Sequence, residues 1–67
     1  MSMVSEIFTD TEARILEIYV KKERKEVIKD VETVIPMIDE PEMKDNCESL
    51  LLKLSAMDDK DFDNLDL

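Results

Sequence analysis

Residues 41–65 read PEMKDNCESLLLKLSAMDDKDFDNL, and this stretch decides the fold. Met43, Cys47, Leu50, Leu51, Leu54 and Met57 recur at spacings of three and four, which is one stripe of an α-helix running from Pro41 to Ala56. Such a stripe has to be buried. Asp58 follows as the N-cap of a second, shorter helix, Asp59 to Leu65, with Asp61 in the position of a capping-box acid and Phe62 and Leu65 as its apolar contacts. The end of the chain therefore reads as a helix, a sharp stop and a helical lid. Leu52 falls off the main stripe, between Leu51 and Lys53. It is either a contact for the short last helix or part of an exposed patch used for association.

Working back toward the N-terminus, Asp39, Glu40 and Pro41 open the long helix with acidic residues and a proline in the first turn. Val27, Ile28, Val31, Val34, Ile35 and Ile38 form another three-four repeat, predicting a helix from Lys25 to Ile35 despite its β-branched residues. A strand at Glu32 to Ile35 is the alternative, and it would need pairing partners that the rest of the chain does not offer. Because proline disfavours α geometry in the residue before it, Pro36 stops this helix near Val34 or Ile35, or else leaves a kinked extra turn. Thr9, Asp10, Thr11 and Glu12 spell the capping box T-x-x-E, with Phe8 placed to pack back as a hydrophobic staple. A first helix thus spans Asp10 to Val20, with Ile15, Leu16, Ile18, Tyr19 and Val20 on its buried side. The polar run Lys21 to Glu26 interrupts that stripe and places the connection near Lys21 to Glu23.

These elements make an all-α fold, a small bundle of three main helices with a short C-terminal fourth helix. Zero glycine argues the same way, since tight hairpins and left-handed turns lean on that residue. Residues 1–67 form one helical domain, with 1–7 and 66–67 frayed. The expected core is Phe8, Ile15, Ile18, Tyr19, Val27, Ile28, Val31, Val34, Ile35, Met43, Cys47, Leu50, Leu51, Leu54, Met57, Phe62 and Leu65. A chain of 67 residues buries only about 60% of its unfolded surface, and its aromatic content is limited to Phe8, Tyr19 and Phe62. Stability will be modest, so a homodimer would help.

The formal charge of −9 opposes attraction to nucleic-acid phosphates or anionic lipid. It is unevenly spread. Arg14 to Lys29 holds six basic residues against three acidic, a net +3, whereas the chain from Asp30 onward carries −9. Mixed charges on a solvated helix face explain the basic window without any partner. The residues that would serve as an interaction surface are Lys21, Lys22, Arg24 and Lys25, together with Leu52. Cys47 is the single cysteine, so no internal disulfide can form. The start, MSMVSEIFTD, lacks the features of a secretory signal, and no segment approaches the roughly 18 apolar residues of a membrane span. A cytoplasmic protein is expected.

Little in the chain points to catalysis. There is no histidine, which removes the commonest general base near neutral pH and the commonest transition-metal ligand. Cys47 lies on the apolar stripe of the long helix, so burial is expected rather than a reactive thiolate. Lack of glycine removes the phosphate-cradling loop of nucleotide-binding folds. Asp59, Asp61 and Asp63 alternate as in a calcium loop, but such a loop needs about 12 residues ending in a bidentate Glu. No catalytic, cofactor-binding or metal-binding residue is assigned, no cofactor is expected, and the expectation is that the protein is not an enzyme.

Taken in order, FTDTE before ILEIY, Arg24 ahead of the second amphipathic helix, the IP-x-I-D-x-P-E-M connection and the ending KL-x-A-M-x-D-x-x-F-x-x-L resemble the putative transposon-transfer assisting proteins. These are short proteins of conjugative transposons in Gram-positive bacteria. The resemblance runs from Phe8 to Leu65, and its most specific part is the relative spacing of Lys53, Leu54, Met57 and Phe62. Members often have glycine between the first two helices, where this chain has Lys21 to Glu23, and Thr where it has Asp58. The missing glycine leaves open a longer, bent first helix. The resemblance implies an accessory role in movement of a mobile element and structural roles for Phe8, Tyr19, Arg24, Leu54, Met57 and Phe62. It implies no catalytic residues. Three roles follow: a helical module binding an element-encoded or host protein, an acidic decoy for the basic surface of a DNA-binding protein, and, weakest, direct DNA binding through Lys21, Lys22, Arg24, Lys25 and Lys29.

Overall fold

In the computed structural model, which describes residues 4–19 and 22–65, the chain runs α1 (Val4–Ile7), α2 (Asp10–Ile18), α3 (Arg24–Val34), a 3-10 turn (Ile35–Met37), α4 (Pro41–Ala56) and α5 (Asp59–Asp63). No strand occurs among the described residues. The architecture is the all-α bundle the sequence predicts, with α4 at its centre packed on α2, α3 and the 3-10 turn. The Cα radius of gyration is 11.2 Å, against about 11 Å for a well-packed chain of this length.

Each helix starts where its local chemistry dictates. Thr9 caps α2 with both halves of the box formed: its hydroxyl accepts from Glu12 N–H at 3.2 Å, and Glu12 Oε1 accepts from Thr9 N–H at 2.8 Å. Phe8 beside the cap is buried, and Ala13 packs against the same core. α4 begins at Pro41, whose missing N–H costs nothing in a first turn. Asp58 caps α5 by accepting from Asp61 N–H at 2.8 Å. That is only half a capping box, since Asp61 is one methylene shorter than the Glu or Gln the reciprocal bond uses.

Helix ends form without glycine because none requires a left-handed residue. The caps of α2 to α5 all have negative φ, from −52° at Ile35 to −105° at Tyr19. Pro36 produces both of the anticipated outcomes, in sequence. The α-helix stops at Val34, and a 3-10 turn carries the chain through Ile35–Met37, closed by Ile38 N–H donating to Ile35 O at 3.1 Å. Proline has no N–H to continue the α ladder.

The core contains Phe8, Leu16, Val27, Val31, Cys47, Leu50, Leu54, Phe62 and Leu65, with Ile15, Tyr19, Ile28, Ile35, Ile38, Leu51 and Met57 packed against it. Burying each large aliphatic or aromatic side chain contributes about 1.5–3 kcal/mol. Residues 4–7 form the single helical turn α1 ahead of the Thr9 cap. Several expectations need correction. α2 ends at Ile18 rather than Val20, tightened by Tyr19 N–H donating to Leu16 O at 2.9 Å. α3 starts one residue earlier than expected, at Arg24, and α5 ends at Asp63 rather than Leu65. Ile18 is largely exposed and Met43 sits at the surface, whereas Leu16, expected on the buried side of the first helix, is fully buried. At 100° per residue Ile18 lies about 200° round the helix from Leu16. The buried register is Phe8, Glu12, Leu16, so Ile15 falls on its flank and Ile18 on the far side. Val20, residues 1–3 and residues 66–67, for which sequence also made predictions, lie outside the described residues.

Candidate functional site

Two polar clusters join the helices from within. In the first, Glu12 is only 1% exposed, although it is charged. Lys53 Nζ lies 2.6 Å from its Oε1 and 5.8 Å from the centre of the Phe8 ring, inside the range of a cation–π contact. Burial pushes the Glu12 carboxyl upward, but the Lys53 hydrogen bond, the Thr9 N–H, the Ser49 hydroxyl and the Lys53 charge together outweigh it, and its pKa falls below the ordinary value. The capping-box pattern places Glu12 at the cap and does not by itself imply burial. The signal was there, since Glu12 is four residues from both Phe8 and Leu16.

In the second cluster, Arg24 at the start of α3 donates from Nε to Asp59 Oδ1 at 2.9 Å and from Nη1 to Leu54 O at 3.1 Å. Leu54 O belongs to the last turn of α4, whose carbonyls lack helical partners. One guanidinium thus satisfies the end of α4 and holds the start of α5, and the Arg24 side chain is only 16% exposed.

The residues proposed as an interaction surface separate in space and in role. Arg24 faces inward as just described. Lys22 pairs with Asp30 at 2.9 Å, and that bond and charge raise its pKa. Lys25 is exposed, and Lys21 lies outside the described residues. Leu52 is 73% exposed on α4, which rules out its reading as a contact for the last helix. Cys47 is buried, and desolvation pushes its thiol pKa up. Asp59 is paired with Arg24 while Asp61 and Asp63 face solvent. Among the described residues, no three His, Cys, Asp or Glu side chains gather to hold a metal ion.

Three of the hollows on the surface lie against these helices. One of about 450 Å³ lies between α1, α4 and α5, lined by Ile7, Lys53, Ala56, Met57, Asp61 and Asn64. A polar one of about 230 Å³ sits over the Arg24–Asp59 pair. The third, about 390 Å³, lies between α2 and α4 and is lined by Thr11, Arg14, Ile15, Ile18 and Met43. Among the described residues, no helix is long and apolar enough to cross a membrane.

The fold and its polar clamps define a small acidic helical protein with one central helix, tied near its C-terminal end by Lys53 to Glu12 and by Arg24 to Leu54 O and Asp59. The family model described as putative transposon-transfer assisting protein matches residues 8–67, and the chain belongs to that family. No match was found among curated proteins or among solved structures.

Proposed function

We propose that this chain is a non-enzymatic cytoplasmic module that assists conjugative transposon transfer by binding an element-encoded or host protein. The family assignment supplies the transfer context. The observation that carries the binding role is the set of large apolar side chains left outside the core, with Ile18, Met37 and Leu52 each about three-quarters exposed. A chain this short would gain stability by burying them against a partner. The test is a mating assay with a clean deletion in the donor. Transfer frequency should fall and recover on complementation, and an unchanged frequency would overturn the reading.

A second reading, an acidic decoy for the basic surface of a DNA-binding protein, is favoured by where the cations go. Arg24, Lys22 and Lys53 are all held by carboxylates of the same chain. The remaining surface is therefore dominated by the acids that make up the −9 charge. Binding that resists added salt would dispose of this version.

A further inference from the structure

The short last helix, α5, cannot hold its own shape. It has five residues, far below the roughly 12–15 that make an isolated helix even marginal in water, so its helicity depends on docking. Residues 58–63 carry four aspartates against the single Lys60, and Asp59 and Asp63, one turn apart, work against the helix as like charges. Its tether to α4 is two extended residues, Met57 (φ −97°, ψ 162°) and Asp58 (φ −96°, ψ 173°).

Docking rests on a narrow ridge. Phe62 and Leu65 are buried, at 5% and 7% exposure, and hollows lie along both sides of them. Asp59 and Asp63 line the polar hollow of about 230 Å³. Asp61 and Asn64 line the larger one of about 450 Å³. At 100° per residue Phe62 sits about 60° round the helix from Asp59 one way and about 100° from Asp61 the other, so the apolar ridge runs between the two. Beyond that ridge, the long-range polar bond that holds α5 is Arg24 Nε to Asp59 Oδ1 at 2.9 Å. The packing of α4 on α2, α3 and the 3-10 turn, and the Glu12–Lys53 pair, involve no residue of α5.

We propose that α5 is a latched lid: it undocks as a unit about Met57 and Asp58 while the bundle of α2, α3 and α4 stays folded, and Arg24 is the latch. Undocking breaks the Arg24–Asp59 bond, melts the five-residue helix and bares Phe62 and Leu65 together with the apolar surface they cover. The closed lid withholds that surface from solution. This moving part is a property of the fold and goes beyond the transfer role proposed above.

The test is native-state amide exchange, read by NMR on the intact protein. Phe62 N–H donates to Asp58 O at 3.0 Å, Asn64 N–H to Lys60 O at 3.1 Å and Leu65 N–H to Phe62 O at 3.1 Å, so these three amides report the lid. Leu50, fully buried in the middle of α4, reports the body. The three lid amides should share one opening constant, about tenfold or more above that of Leu50. Low urea should accelerate Leu50 far more than the lid, because undocking exposes less surface than unfolding. Arg24→Gln should raise the lid opening constant about threefold. Ile35→Ala, in the 3-10 turn that residues 38–40 join to the far end of α4, should accelerate Leu50 and leave the lid amides unchanged. The proposal is overturned if the lid amides exchange with the opening constant and urea dependence of Leu50, or if Ile35→Ala accelerates all four probes alike, since α5 would then open only with the whole protein. Exchange graded inward from Leu65 and untouched by Arg24→Gln would overturn it too, as fraying of a chain end.

Discussion

Lys53 Nζ lies 2.6 Å from Glu12 Oε1, and that same oxygen accepts the Thr9 N–H at 2.8 Å. One carboxylate therefore ends the first turn of α2 and ties α2 to α4 across 41 residues of sequence. A buried carboxylate without a cation would be strongly destabilising. Here the Lys53 stem reaches the site alongside Phe8 and keeps part of its surface in water. The pair joins the first turn of α2 to the last turn of α4.

This pair makes stability depend on acid pH. The folded pKa of Glu12 is lowered from 4.5, so its contribution is present in full above the ordinary Glu range and is lost as pH falls through the depressed value. Urea unfolding between neutral pH and about pH 3 should show this loss. Glu12→Gln, which keeps a capping side chain, should flatten that limb; an unchanged pH profile would count against the pair.

Lys53→Met should cost about 1–3 kcal/mol, because the carboxylate keeps the Thr9 bond and loses its cation. A double-mutant cycle with Glu12→Gln should give a coupling of about 0.5–3 kcal/mol by chemical denaturation. Additive effects would mean that the two residues act independently.

Arg24→Lys should destabilise by about 1–2 kcal/mol, since a point charge cannot serve Leu54 O and Asp59 together. Hydrogen exchange should rise first in α5 and the last turn of α4. Asp59→Asn, at a carboxylate 66% exposed, should stay within about 0.5 kcal/mol of the parent. A larger effect from Asp59 than from Arg24 would reverse this assignment.

The buried Cys47 thiol, its pKa raised, should react with a disulfide reagent only as fast as the fold opens. Its rate should approach that of a free thiol in denaturant. Fast labelling of the native protein would show that the core is open at this position.

Leu52→Asp should leave unfolding stability within about 0.5 kcal/mol, as expected of an exposed helical position. If Leu52 belongs to an association patch, the same change should lower the sedimentation-derived molecular weight at high concentration. Loss of the folded monomer would contradict its surface placement.

What the sequence determined is local. Capping at Thr9 and Asp58, the break at Pro36, the Pro41–Ala56 helix and the stripe through Cys47, Leu50 and Leu54 all follow from interactions within a turn or two of chain. Only tertiary structure decided the rest. Glu12 and Lys53 are 41 residues apart and Arg24 and Asp59 are 35 apart, so no periodicity could show that these charges turn inward. A basic window that looked like a surface thus supplied a clamp. Ile18 and Met43 carried the pattern of core residues, yet Ile18 falls on the far side of α2 from Leu16 and Met43 lies at the surface of α4. Periodicity assigns a residue to a face, but coverage of that face depends on the length and register of its neighbour, which long-range contacts set.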